Sequence, residues 1–545
     1  MIKKQSKKFK KLLPTSLALL CALCFGACNK TKSESNSPES PTEIQYEVDE
    51  QGFKILENGY FNDSLGLKEN AFIPEIIEGQ PIYSRMRMYI GDAQVPIYNV
   101  KTNFSQTWNG DTQTRMNNGV TTIGLNGEIE IKIQTSFRIN NKLTIRPLSS
   151  NINASIDENR NVVTFKINKT GQYTVEFSSD RTLHLFVNSF DDMKITPQTN
   201  WIVFKNGVHT HQNDSRINSN NVVELQSNSV VYIAPNAAVN AKFLANNKTN
   251  IKIFGGGYID GQNFIRNANT GQATVPIEFN HCSNITLKTF SIIDPAAWVF
   301  NIFYCSDSLI DNCKVISSRS NGDGISLQSC RKIVVQNCFI RSWDDSLVVK
   351  NYKDWSNGAM GYTDTVHFKN CLLWTDLAQS MEIGFETVGE HMENIFFEDI
   401  TVLHNYHKPI FSIHNGNQAN IKNVQYKNIV VEDARVGRGD GKPVIVELQN
   451  VYSTTWSDQY GSYPIGDIDG VSFENIKVLS GISNPKFVIS GYEENRSGFE
   501  KKVSLVKNVS FKNFEIYGRA LTMEDLDISL AENINFIWYE KFKTK

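Results

Sequence analysis

The sequence predicts an all-β protein in which an N-terminal β-sandwich precedes a right-handed parallel β-helix. The first observation is a period of two between Ile44 and Val223, in short runs such as Glu128–Ile133 (EIEIKI), Leu143–Pro147 (LTIRP), Val162–Ile167 (VVTFKI) and Tyr173–Phe177 (YTVEF). Turn residues such as Asn-Asn and Thr-Gly separate these runs, and that pattern builds antiparallel hairpins whose natural container is a sandwich. The second observation is a repeat beyond Val223. It reads apolar, any, Asn or Asp, apolar, at Ile310–Cys313, Val335–Cys338, Phe368–Cys371, Phe397–Ile400, Tyr426–Ile429, Phe473–Ile476 and Phe511–Phe514. Its Asn or Asp falls at 312, 337, 370, 399 and 428, at intervals of 25, 33, 29 and 29 residues. Strand-like patterning at this period means stacked parallel coils, with strands about 4.8 Å apart. The recurring Asn suggests a side-chain amide ladder that satisfies buried polar groups.

The chain therefore divides into a leader (1–27), a tether (28–43), a sandwich (44–223) and a β-helix (224–545). In the leader, Lys3, Lys4, Lys7, Lys8, Lys10 and Lys11 precede an apolar run of 14 residues, Leu12–Phe25, broken by Pro14. Such a run is too short to span a bilayer comfortably and reads as a targeting segment. Its end, Phe25-Gly26-Ala27-Cys28, resembles the lipobox of bacterial lipoproteins. That resemblance implies cleavage before Cys28, lipidation of Cys28, and anchoring to the bacterial outer membrane at its surface or periplasmic face. Residues 29–42 are polar and read as a flexible linker.

Composition narrows the partners. With 55 Lys and Arg against 57 Asp and Glu in 545 residues, no basic surface points to nucleic acid, so a neutral partner is expected; the chain is expected to act as a monomer. Cys282, Cys305, Cys313, Cys330, Cys338 and Cys371 all fall in the solenoid, where stacked small apolar residues explain them more simply than disulfides do. No pair has zinc-ligand spacing, and the sequence calls for no metal or cofactor.

The chemistry concentrates between Asn321 and Lys350 (NGDGISLQSCRKIVVQNCFIRSWDDSLVVK). Asp323 lies 11 residues after Asn312, and Asp344 and Asp345 lie 7 and 8 after Asn337, so they fall on roughly the same side of neighbouring coils. Three carboxylates one coil apart suit acid and base work on a glycosidic bond, and their mutual repulsion raises at least one pKa. The same residues also have turn composition, so spacing alone leaves a turn reading open. Glu382, Glu386, His404, His407 and His414 can reach the same face to bond sugar hydroxyls, and Trp343 and Trp374 can stack on sugar rings; packing explains each of these equally well.

Gly322-Asp323-Gly324, Asp344-Asp345 and Phe254–Gln262 (FGGGYIDGQ) resemble the motifs of the polygalacturonase clan, glycoside hydrolase families 28 and 49. The stretch from Leu373-Trp374 through Met381–Thr387 to Thr401–Asn405 resembles family 49, the dextranases and isopullulanases, as does a sandwich placed before a β-helix. The resemblance implies an inverting mechanism, with Asp344 as general acid and Asp323 and Asp345 activating water. The places that match the polygalacturonase Gly-His-Gly and Arg-Ile-Lys motifs hold Gln379 and Ser412-Ile413-His414, which lack the cations that grip a uronate. Lys350 remains near the acids, with Lys408 and Arg435 on neighbouring turns. The expected function is thus endo-hydrolysis of a neutral α-glucan such as dextran, with substrate contacts from Lys350, Trp343, Gln379, Glu382, Glu386, His404 and His414. A hydrolase of pectic polysaccharide and a glycan-binding β-helix without catalysis are the alternatives.

Overall fold

The computed structural model describes residues 45–62, 69–103, 115–140, 142–178, 180–265 and 274–537. The expected leader, the tether and Cys28 lie outside the described residues. From Tyr46 onward the chain forms one compact unit.

The N-terminal part is a two-sheet sandwich. Among the described residues a six-stranded sheet is built around Arg115–Leu125 and Arg181–Ser189, and a five-stranded sheet around Ile129–Thr135. Alternation works as expected, since Ile129, Ile131 and Ile133 turn inward to meet Val163, Val175, Leu183 and Leu185 in one core. Among the described residues pairing is antiparallel with one exception: Leu183–Ser189 runs parallel to Gly119–Leu125.

The rest is a parallel β-helix, whose strands stack into a 21-stranded and an 11-stranded sheet among the described residues. Its first strand, Ile202–Phe204, pairs in parallel with Val231–Ile233. The coils therefore begin before Val223, inside the segment that alternation groups with the sandwich. A short strand looks the same in either context, and only its pairing partner tells them apart.

The apolar residue of the repeat points into the solenoid and stacks on its counterpart one coil away. Phe368, Phe397, Tyr426, Phe473, Phe511 and Phe536 form a continuous column with ring centroids 4.9, 5.0, 4.9, 5.0 and 5.2 Å apart. This is the rung spacing of the sheet, and each stacked pair adds about 0.5–1.5 kcal/mol beyond its buried area. The six cysteines of the solenoid are free and buried.

The recurring Asn does something other than satisfy a buried group. Asn312, Asn337, Asn370, Asp399, Asn428, Asn475 and Asn513 all adopt left-handed backbone, with φ between 50° and 56°. Asn370, Asn428 and Asn475 are exposed. Asn312, Asn337, Asn370 and Asp399 turn the corner between two strands of one coil, and Asn428, Asn475 and Asn513 bend one long strand at the same place; Asn tolerates this conformation better than most residues. The ladder exists on the surface: Asn475 Nδ2 donates to Asn428 Oδ1 at 3.0 Å, and Asn513 Nδ2 to Asn475 Oδ1 at 3.0 Å.

The sandwich docks on the 21-stranded sheet. Tyr98, Val100, Val120 and Phe186 pack against Tyr258, Ile293, Ile316, Phe339, Trp374 and Leu403. The 11-stranded sheet carries the site.

Candidate active site

In the 11-stranded sheet Leu327, Val349, Ile383, Ile413 and Leu448 turn into the core, so the residues between them turn out. Strand register then sets outward residues in columns. Ser326, Val348, Glu382, Ser412 and Glu447 share one column, and Phe303, Gln328 and Lys350 share another.

Asp323 and Asp345 sit just ahead of two neighbouring strands of this sheet. Ile325 pairs with Leu347, which puts the two acids at equivalent places one coil apart, about 4.8 Å along the axis. Gly324 N donates to Asp345 O at 2.7 Å. A Cβ on Gly324 would lie 2.4 Å from Ser346 O, so only glycine allows the coils to approach here. Asp345 N donates to Asp344 Oδ1 at 3.0 Å, and Gln379 N donates to Asp345 Oδ1 at 3.1 Å. Asp323, Asp344 and Asp345 are only 2%, 5% and 9% exposed, yet all three line a cleft of about 740 Å³.

Burial, and then the charge of Asp344, raises both Asp323 and Asp345 well above the usual carboxylate range; Lys350 pulls both the other way. Lys350 itself is buried, which disfavours its charge, but Glu386 and other acidic neighbours outweigh burial and keep it a firm cation. Lys350 Nζ donates to Glu386 Oε2 at 2.8 Å. A bulge places Glu386 there: Val349 pairs with Ile383 and Asn351 with Thr387, so three residues oppose the single Lys350.

A second polar network continues along the cleft. His414 Nδ1 meets Glu382 Oε1 at 2.8 Å, and its Nε2 meets Glu447 Oε2 at 3.1 Å. Burial opposes the charged ring, but Glu382 and Glu447 raise its pKa to about 10, so His414 is an imidazolium at neutral pH. Burial likewise opposes the Glu447 carboxylate, while His414 and Lys442 lower it to about 2. Lys442 Nζ reaches Glu447 Oε1 at 3.1 Å. Ser412 donates to the Glu382 carboxylate.

Asp323, Asp344, Asp345, Lys350, Gln379, Glu382, Glu386 and His414 therefore all line one cleft. Trp343, Trp374 and His404 do not. Trp343 is buried at 2% exposure, and Trp374 lies in the contact with the sandwich, donating from Nε1 to Asp376 Oδ1 at 2.9 Å. His404 is the neighbour of Trp374 in register and joins Glu176 of the sandwich (2.9 Å) to Asp433 (2.7 Å). It belongs to the 21-stranded sheet, which faces the sandwich. Arg435 pairs with Asp433, whereas Lys408 lines the cleft. Sequence reasoning missed Trp298, Lys442, Glu447, Trp456 and Tyr460, which also line it. Glu447 shares the column of Glu382 and Ser412, but the long connection from Ala434 to Lys442 hides that spacing. Among the described residues no cluster of His, Cys, Asp and Glu is arranged to hold a metal ion.

Comparison with known proteins assigns this geometry to a class. The model of the family described as "Glycosyl hydrolases family 28" matches residues 204–449, the stretch that carries the acids and the cleft. Over that stretch the solenoid is similar to glycoside hydrolases of family 28. Among solved structures, Dex49A from Penicillium minioluteum is similar over 85% of this chain and 96% of its own, with TM-score 0.60 and 13% identity. A polygalacturonase from Erwinia carotovora ssp. carotovora is 16% identical over 63% of this chain and 98% of its own, with TM-score 0.41. The likeness to Dex49A is one of fold. No curated protein matches the chain.

Proposed function

We propose that the chain is an inverting endo-glycoside hydrolase of a neutral α-glucan, with dextran as its substrate. Asp344 protonates the leaving oxygen, and Asp323 and Asp345 activate the attacking water, the roles implied by the clan motifs. The observation that supports a neutral substrate is the charge of the cleft. Among the described residues six carboxylates line it (Asp323, Asp344, Asp345, Glu382, Glu386, Glu447) against four cations, Lys350, Lys408, Lys442 and His414. Three of those cations are already committed: Lys350 to Glu386, Lys442 to Glu447, and His414 to both Glu382 and Glu447. A polyuronate would bring a carboxylate on each ring into this field, at a desolvation cost of several kcal/mol per unpaired ion. Neutral hydroxyls meet donors and acceptors without that cost. The protein works as a monomer tethered to the outer membrane through a lipid on Cys28.

Reducing-sugar release from dextran, pullulan and polygalacturonate, measured side by side, tests the reading. Release from dextran is expected, and NMR of the earliest product should show the β-anomer. Preferential release from polygalacturonate overturns the neutral substrate, and first appearance of the α-anomer overturns inversion.

A further inference from the structure

Beyond the cleft, the outward face of the 11-stranded sheet carries a second feature that the catalytic acids do not use. Phe303 occupies the same column as Lys350, two coils away, or about 10 Å along the axis. An outward Phe on a sheet face needs a cover, and Trp355 supplies one: the two rings stack with centroids 4.5 Å apart and planes 19° from parallel. With Tyr304 and His281 also against its ring, Phe303 is 2% exposed, while Trp355 remains 63% exposed. Covering Phe303 thus accounts for one face of the indole and leaves the other to solvent.

The loop that presents this face is fastened rather than loose. Asp354 Oδ1 accepts from Ser356 N at 2.8 Å and from Ser356 Oγ at 2.7 Å, and Asp354 Oδ2 meets His281 Nε2 at 3.0 Å. Tyr304 donates its hydroxyl to Tyr352 O at 2.8 Å. An aromatic string joins the loop to the cleft. Trp355 lies 6.2 Å from Tyr352, and Tyr352 lies 5.0 Å from Tyr460, which lines the cleft wall.

We propose that Trp355, mounted on Phe303, is a platform on which a distal pyranose ring of the polysaccharide stacks as the chain leaves the cleft past Tyr460. The chemistry is that of a sugar's C–H face on a flat, preorganised indole, which needs no charge on either side. The platform rests on the glycan-hydrolase reading above, and it adds that long chains bind better than short ones.

The test compares Trp355→Ala with wild type on the polymer that wild type cleaves and on the shortest oligosaccharide that it cleaves. KM for the polymer should rise roughly three- to tenfold, the worth of one aromatic stacking contact. The kcat on both substrates and KM on the oligosaccharide should stay unchanged. Trp355→Phe keeps a cover on Phe303 and should give a smaller rise on the polymer alone; it carries the test if the alanine variant does not fold. An unchanged polymer KM, or an equal rise on both substrates, overturns the platform and leaves the hydrolase reading standing. A wild type that cleaves none of dextran, pullulan and polygalacturonate overturns the hydrolase reading and the platform with it.

Discussion

Asp323 and Asp345 face opposing influences: burial and Asp344 push their protons on, and Lys350 pulls them off. In the proposed inverting mechanism one carboxyl is protonated and another ionised, and this balance would set the acid limb of the pH profile. Lys350→Met removes the opposing cation, and the acid limb of kcat/KM should move to higher pH in a pH-rate series. Asp344→Asn should lower kcat by about 10²-fold or more, with polymer binding retained in a pull-down. His414 gives a stability signature. Its pKa is raised from 6.5 to about 10, so its contribution is full below pH 6.5 and is lost as pH rises through 10. Thermal melts of His414→Gln should therefore show a Tm deficit that is large at pH 6.5 and shrinks toward pH 10. The acids were legible because Gly-Asp-Gly and Asp-Asp stand one coil apart in sequence. His404 was not, because counting from the repeat gives position along a coil but not which sheet a side chain faces; Trp343 was not, because its place in the turn beside the acids does not reveal that its ring is buried.

The coil was legible at the scale of the element, and its Asn was legible as a position but not as a conformation. An amide ladder and a left-handed corner leave the same trace in sequence, a recurrent Asn, and only the φ values separate them. The two roles are separable at Asn428, where φ is 55° and the amide donates to Asp399 Oδ1 at 3.0 Å. Asn428→Ala forfeits both and should lower stability by about 1–2 kcal/mol, the usual cost of a Cβ in left-handed backbone. Asn428→Gly forfeits only the two ladder bonds, to Asp399 and from Asn475, and should cost less. Urea titrations of the two variants measure the difference; equal losses would mean that the ladder, not the corner, holds the coil. The boundary at Val223 was misplaced for a related reason, since the strand at Ile202–Phe204 reveals its coil only through its partner at Val231–Ile233.

At the scale of the whole molecule, the sandwich and solenoid are joined by ionic contacts that no local pattern announces. Arg146 and Glu432 lie 286 residues apart in sequence and meet at 2.6 Å, and Arg146 Nε also reaches Glu176 at 2.8 Å. Glu176 in turn accepts from His404 of the solenoid, while Leu148 N donates to Glu432 Oε1. The side chains of Arg146 and Glu432 are 11% and 1% exposed, so neither charge is left to water. Breaking such a pair from one side strands the other charge in the interface, which costs about 3–5 kcal/mol, more than the pair itself contributes. Arg146→Met should therefore destabilise the protein by roughly that amount in chemical denaturation. Because the sandwich packs on the 21-stranded sheet and the acids line the 11-stranded one, kcat on the polymer should be retained at temperatures where the variant stays folded. A fall in kcat together with stability would instead show that the sandwich holds the catalytic coils in register, and that docking is part of how the cleft is shaped.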